Sequence, residues 1–261
     1  MENKKQQRQN SILELVNKNG TITTAELMNR FGVTNETIRK DLQQLDETGR
    51  LKKTHGGAIR NPESFRDLPS PELVMYKNER TIIAQSAAQF LKNNSVIFID
   101  SGSTASYLAT MLDSFHSITV VTTSMLVVNI MQSQKTDNYL YLPSAFVNFK
   151  AMHLYGPSME NSLRDFRFSA AFFGSSGIRY HNGPTVLDPQ EITYKSIVSA
   201  NSELSIVMCD HSKFSIGGVA QYLPWDKVDY FITDSGVTQE NLKMLGEHPK
   251  IIVDGVLQDN Q

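Results

Sequence analysis

From residue 77 onward the chain alternates short β-branched and aromatic runs with stretches of helical period, and no other feature restricts its fold as much. Residues 95–100, 118–122, 139–142, 169–173, 204–209, 230–233 and 250–253 read as strands. Residues 78–91, 103–112, 124–132, 189–200 and 239–246 read as the helices between them. A run such as Val96-Ile97-Phe98-Ile99 has no polar alternation, so both of its faces must be buried. Strands of that kind joined by helices form a largely parallel sheet with helices on both sides. The fold class is therefore α/β, and such sheets take ligands beyond the carboxyl ends of their strands.

Four of those ends carry chemistry. Asp100-Ser101-Gly102-Ser103-Thr104 runs straight from strand to helix, where glycine and small hydroxyls let backbone N–H groups and the helix dipole hold an anion. Ser101, Ser103 and Thr104 add hydroxyl donors, and Asp100 is suited to accept hydrogen bonds from ligand hydroxyls. Thr122-Thr123-Ser124 is a second hydroxyl cluster at a helix start. Gly174, with Ser175-Ser176-Gly177 after it, lets a ligand approach the backbone. Asp210-His211-Ser212-Lys213-Phe214 sets a cation, Lys213, beside a carboxylate. Ser and Thr cap helices everywhere, so one such tip alone signifies only loop chemistry. Four on one sheet fit a small polyhydroxylated anion, that is, a phosphorylated sugar.

The first 60 residues follow a different pattern. Residues 5–18 read as an amphipathic helix with Ile12, Leu13 and Val16 inward, ended by Asn19-Gly20. Thr23 and Glu26 have capping-box spacing at the start of a short second helix. Phe31-Gly32-Val33 makes a tight turn, and Thr34 caps a third helix over residues 35–47, closed by Gly49. This is a helix-turn-helix layout over about residues 22–41. Thr34, Asn35, Thr37, Arg39 and Lys40 occupy the first turns of the third helix, the part of a recognition helix that enters a major groove. Arg and Asn suit base edges there; Lys and Thr suit phosphate. Arg50 to Ala58, with Lys52, Lys53 and His55 ahead of Gly56-Gly57, reads as a basic wing beside that groove. Between these parts, residues 61–76 hold Pro62, Pro69 and Pro71 with no period and read as a linker, leaving residues 77–261 as a second domain.

Charge agrees with that division. The 25 Lys and Arg against 27 Asp and Glu give a net −2, which excludes a wholly basic nucleic-acid coat. Residues 1–60 nevertheless carry eleven Lys and Arg against seven Asp and Glu, so the positive surplus sits at one end. The single Cys209 excludes an intrachain disulfide and a Cys-based zinc site, suits a reducing compartment, and at the end of an apolar strand reads as an inert buried thiol. The six His residues show no metal-ligand spacing, so no metal site is expected. The polar start, without an apolar segment, argues against a secretory signal, and no apolar run has the length of a membrane span. A cytoplasmic protein is the expectation.

At the level of motifs the head resembles DeoR-family transcriptional repressors. The resemblance rests on Ala25-Glu26-Leu27, Phe31-Gly32-Val33-Thr34, Thr37-Ile38-Arg39-Lys40-Asp41-Leu42 and His55-Gly56-Gly57-Ala58. It continues through Glu79-Arg80, Asp100 to Thr104, Val121-Thr122, Gly174, Gly177-Ile178, Glu191, Lys195, Asp210, Ser212-Lys213-Phe214 and Thr233-Asp234. The family's sensor domain is similar in fold to ribose-5-phosphate isomerase and the sugar-phosphate deaminases. The resemblance implies a repressor of sugar metabolism whose grip on double-stranded operator DNA weakens when a phosphorylated sugar binds. By motif position the Asp100–Thr104 loop would cradle that effector, with Thr122 and Ser124 beside it and Gly174, Glu191, Lys195, Asp210 and Lys213 lining the same cleft. The chain departs from the family pattern at Pro143-Ser144, where Gly-Gly is usual, and at Thr123, where Asn is usual. No cofactor is expected, and pairing of heads on half-sites implies a homodimer or homotetramer. The alternative is a sugar-phosphate isomerase or deaminase with an added DNA-binding head, using Glu191 or Asp210 as base and Lys213 as electrostatic stabiliser.

Overall fold

The structure is a computed structural model that describes residues 4–47, 51–59, 76–134 and 136–258. Gly49, Arg50 and residues 60–75, which include most of the expected linker, lie outside these. The chain forms two compact units, Met1–Met75 and Tyr76–Gln261, so Tyr76 belongs to the second unit and not to the linker.

The first unit holds three helices, α1 (Lys4–Asn19), α2 (Thr24–Phe31) and α3 (Asn35–Glu47). It also holds three short strands, β1 (Thr21–Thr23), β2 (Lys52–Thr54) and β3 (Gly57–Ile59). Ile12 and Val16 from α1, Leu27 from α2, and Ile38, Leu42 and Leu45 from α3 are buried together, as their three- and four-residue spacing requires. Thr23 caps α2 in a reciprocal capping box with Glu26, whose carboxyl is held below its ordinary value by the Thr23 backbone N–H and then by its hydroxyl. Gly32 closes α2 at φ 62°, a left-handed conformation that glycine adopts without cost. Thr34 caps α3 with its hydroxyl on the Thr37 N–H at 3.4 Å.

The wing is a three-stranded sheet in the order β1-β3-β2, one strand more than the sequence suggested. Thr21-Ile22-Thr23 alternates exposed, buried, exposed, but three residues are too few to declare a strand. Gly57 makes the sheet possible: a Cβ there would stand 2.0 Å from the Ile22 carbonyl oxygen.

The second unit is built on an eight-stranded sheet in the order β15-β14-β13-β11-β9-β4-β5-β6. Its central strands are β4 (Val96–Ile99), β5 (Thr119–Thr122), β9 (Ala170–Phe173), β11 (Ser205–Met208) and β13 (Tyr230–Thr233). β6 (Tyr139–Tyr141) and β14 (Lys250–Val253) flank them, and β15 (Val256–Leu257) is the one antiparallel member. Alternate residues feed two cores. Phe98, Val121, Phe173, Val207 and Phe231 point into one, while Ile97, Ile99, Phe172, Ile206 and Ile232 point into the other. The helices expected from period appear as α4 (Lys77–Ala88), α5 (Ser103–Leu108), α6 (Met125–Gln132), α8 (Glu191–Ala200) and α9 (Gln239–Lys243), with α5 passing into a 3-10 turn over Ala109–Ser114.

Four elements were not anticipated: the hairpin of β7 (Phe146–Asn148) and β8 (His153–Tyr155), helix α7 (Pro157–Arg164), the ribbon of β10 (Thr185–Val186) and β12 (Ala220–Gln221), and β15. All but α7 are short antiparallel pieces whose partners lie elsewhere in the chain.

β4 begins the sheet, β5 and β6 follow on one side, and the chain then crosses back to lay β9 against the other side of β4. The reversal leaves a crevice beyond the carboxyl ends of β4 and β9, where opposite-going connections part. Asp100 and Gly174 are the residues next after these two strands.

Candidate functional site

In the first unit α3 presents a polar face. Thr34, Asn35, Arg39 and Lys40 are exposed, while Thr37 is half-buried with its hydroxyl 3.0 Å from that of Thr34. Lys40 reaches Glu36 at 3.6 Å across solvent, an exposed pair of little energetic weight. On the wing, Lys52 and His55 are exposed, and Lys53 donates from Nζ to Gln43 Oε1 of α3 at 2.7 Å. The Lys53 backbone N–H donates to Asp46 at 3.1 Å. Strand and helix thus border one groove of about 620 Å³ lined by Lys5, Arg39, Lys40, Gln43, Gln44 and Lys53, with Glu36 and Glu47 at its edges. Gln43 and Gln44 are additions to the expected set; the signal was their place one turn beyond Arg39 and Lys40 on the same face.

Asp41, in the middle of the Thr37-to-Leu42 motif, has a different task. It is 1% exposed and takes Arg8 Nε at 2.6 Å and Gln9 Nε2 at 3.2 Å, tying α1 to α3 from inside.

In the second unit the four expected tips fall on adjacent strands: Thr122 to Ser124 after β5, Asp100 after β4, Gly174 after β9 and Asp210 after β11. The Asp100 carboxylate is fully buried and filled from within. Lys195 Nζ and the Gly174 N–H (3.0 Å) donate to one oxygen, and the Tyr194 hydroxyl donates to the other at 2.8 Å. Burial pushes the Asp100 carboxyl up, but the Lys195 charge and these donors outweigh it and hold the group below its ordinary value. Lys195 answers in kind: burial lowers its ammonium, and Asp100 and Glu191 raise it above its ordinary value. Glu191 stands one turn earlier on α8, 3.2 Å from Lys195 Nζ. The expectation that Asp100 accepts from ligand hydroxyls therefore needs correcting, because both of its oxygens are occupied by the protein.

Tyr222 closes the far side, donating its hydroxyl to the Gly174 carbonyl at 2.7 Å, with the Lys195 ammonium 4.9 Å from its ring centre. Neither Tyr194 nor Tyr222 was expected here. Tyr194 lies one residue before Lys195 on α8, and Tyr222 enters from the β10–β12 ribbon that the sequence did not reveal.

Thr122 and Ser124 lie beside the crevice with their hydroxyls engaged. Thr122 Oγ1 donates to the Ile99 carbonyl and accepts from the Ser124 N–H at 3.0 Å, while Ser124 caps α6 and meets Ser106 Oγ at 3.2 Å. They shape the floor. Ser101, Gly102 and Ser103 are half-buried, Thr104 is buried, and α5 begins at Gly102 without a side-chain cap, so its first N–H groups have no hydroxyl or carboxylate in front of them.

Asp210 is fully buried. One oxygen accepts the Ser212 N–H at 3.1 Å and the Ser212 hydroxyl, and the other has no hydrogen-bond partner and lies 4.0 Å from Arg80 Nε. Lys213, on the 3-10 turn His211–Phe214, is half-buried and makes no ion pair among the described residues. Cys209, just before, is buried, and burial followed by the Asp210 charge pushes its thiol up to about 12, which removes it as a nucleophile.

Family comparison now decides the class of protein. Residues 76–235 match the model of the DeoR C terminal sensor domain, and residues 8–64 match that of the DeoR-like helix-turn-helix domain. The chain belongs to the DeoR family. This DeoR-family protein is a DNA-binding transcriptional regulator. It is 30% identical over 251 residues to the HTH-type transcriptional regulator YulB of Bacillus subtilis, spanning 96% of both chains. It is 28% identical to the glycerol-3-phosphate regulon repressor of Escherichia coli, spanning 94% of this chain and 97% of the relative. Among solved structures, a D-ribose-5-phosphate isomerase in complex with phospho-erythronic acid aligns over 53% of this chain and 54% of its own, at 17% identity and a TM-score of 0.38.

Proposed function

We propose that this regulator represses a sugar-metabolism operon by gripping double-stranded operator DNA, and that a phosphorylated sugar in the second unit weakens the grip. The observation that carries the effector reading is how charge is divided in the crevice. Lys195 is neutralised by Asp100 and Glu191, whereas Lys213 makes no ion pair among the described residues and stands at the tip next to that of Asp100 and Gly174. An ammonium of that kind beside uncapped helix N–H groups has affinity for a phosphate. Gly102 and Gly174 approach closely enough that a Cβ on either would touch the other's Cα at 3.4 Å, so both loops present bare backbone to the crevice.

The head reads DNA with Arg39 and Asn35 at base edges, and Thr34, Thr37, Lys40, Lys52, Lys53 and His55 toward phosphate. Asymmetric charge supports this: the head is positive while the chain as a whole is not. The protein works as a homodimer or homotetramer in the cytoplasm, since one recognition helix reads a single half-site. Ile59 is the only exposed large apolar residue of the head among those described, whereas Tyr139, Phe146 and Phe149 of the second unit are 67, 67 and 69% exposed, which favours pairing through the second unit.

We infer no catalytic turnover. Each carboxylate that might abstract a proton is committed: Asp100 to Lys195, Glu191 to Lys195, and Asp210 to Ser212. The test is a thermal-shift screen of phosphorylated hexoses, pentoses and tetroses against their unphosphorylated parents, followed by operator binding at stated salt. At least one ester should raise the melting temperature and weaken operator binding without being converted. No shift with any ester would overturn the effector reading.

A further inference from the structure

The turn that offers Lys213 to the crevice also holds the first residues of the second unit, and this places the two functions of the chain on one short element. Residues 210–214 follow β11 as a single 3-10 turn capped by Asp210. Tyr76, the first described residue after the connector, sets its ring edge-on to the His211 imidazole, with centroids 5.5 Å apart and planes at 89°. His211 is itself clamped. Its Nδ1 lies 2.7 Å from Asp234 Oδ1, and its backbone N–H donates to Asp234 Oδ2 at 2.8 Å. Gly236 presses in from behind: a Cβ there would stand 2.4 Å from His211 Nδ1.

One helical turn after Tyr76, Arg80 is 4% exposed, donates its N–H to the Tyr76 carbonyl at 2.9 Å and brings Nε to 4.0 Å from Asp210 Oδ2. Tyr76 adopts φ 56°, a left-handed conformation that a tyrosine holds only when its surroundings enforce it. Its surroundings include the ring of His211. The same turn reaches the crevice strap from its other end, where the Lys213 carbonyl accepts the Ile178 N–H at 2.9 Å.

We propose that the Asp210–Phe214 turn is a latch that passes crevice occupancy to the chain leading from the head, with Tyr76, Arg80 and His211 as positioning residues for the regulatory response. This deepens the effector reading above and rests on it for the identity of the signal. An anion drawn to Lys213 must move the turn that carries it, because Asp210, His211 and Lys213 are consecutive members of one turn. Tyr76 and Arg80 have no other element of comparable rigidity to follow, so α4 shifts with the turn. A ligand can change operator affinity only through such a differential contact between two arrangements.

The experiment uses the full chain as wild type, His211→Ala, His211→Phe and Tyr76→Ala, with an operator selected by the wild-type protein from random DNA. First, hydrogen–deuterium exchange is followed without any ester. His211→Ala and Tyr76→Ala should speed exchange of the amides of residues 80–83 at least about tenfold while those of β4 hold, and His211→Phe, which keeps a ring against Tyr76, should change them less. Unaltered exchange at residues 80–83 overturns the latch whatever the effector proves to be. Second, the ratio of operator dissociation constants with and without the ester that most raises wild-type stability is compared. His211→Ala should keep the ester-induced thermal shift yet lose most of the ratio, and a ratio equal to that of wild type overturns the proposal. If no ester shifts the wild type, the effector reading fails on its own, and the exchange result still judges the latch.

Discussion

Replacing Lys195 by methionine keeps the aliphatic stem of the side chain and deletes the charge that holds Asp100 ionised in the interior. Lys195 and Asp100 expose 3% and 0% of their side chains, so solvent cannot replace the lost partner. Removing one member of a buried ion pair costs about 3–5 kcal/mol. The Tyr194 hydroxyl and the Gly174 N–H remain on Asp100, which puts the expected loss at the lower end, about 3 kcal/mol. For a unit of this size that is a fall of roughly 6–12 °C in melting temperature.

The pH dependence separates this from a packing effect. In the wild type the Asp100 carboxyl sits below its ordinary 3.8, so its contribution is present above that value and is lost as pH falls through the lowered one. Lys195 sits above its ordinary 10.5, so its contribution is complete below that value and is lost only as pH rises past the raised one. Between those limits the pair is intact and stability is insensitive to it. In Lys195→Met, burial acts on Asp100 without its cation and lifts the carboxyl above its ordinary value. The variant's deficit should therefore grow as pH rises through the lifted value and shrink toward pH 4. Adding Asp100→Asn should recover part of the loss. Calorimetry of the three proteins from pH 4 to 9 measures this, and a deficit below about 1 kcal/mol, or one independent of pH, would refute the reasoning.

Three more outcomes follow from the head. Asp41→Ala leaves Arg8 and Gln9 without their buried acceptor and should destabilise the first unit by roughly 2 kcal/mol, discounted because Arg8 is partly exposed, as read by exchange of the α1 amides. Gly57→Ala has no room against the Ile22 carbonyl and should abolish operator binding while the melting transition of the second unit is unchanged. Arg39→Ala should cost about 1–3 kcal/mol and relax preference at one base pair, whereas Lys52→Ala should weaken all sequences alike and lower the salt slope by about one, both by titration across salt concentrations.

The head was legible almost residue by residue because its signals are local. The Thr23–Glu26 box, the Gly32 turn and the Thr34 cap act within one turn of chain, and each appears where the sequence put it. The strands of the second unit were legible for a similar reason: four consecutive apolar residues such as those of β4 have nowhere to go but an interior. What escaped was short and antiparallel, such as β1 and the β10–β12 ribbon, because two or three residues carry no period and their pairing depends on a partner more than 30 residues away.

The sequence by itself therefore determined the two units, the parallel sheet and the strand tips where polar chemistry gathers, since hydrophobic period and caps are properties of neighbours along the chain. Only the tertiary structure decided what each polar group does at those tips. Asp100 and Lys195 are 95 positions apart, and Arg8 and Asp41 are 33 apart, yet each pair is locked together in an interior where an unpaired charge is unaffordable. Whether a carboxylate faces a ligand or a lysine is settled by which strands lie side by side, and strand order is written in no single stretch of residues.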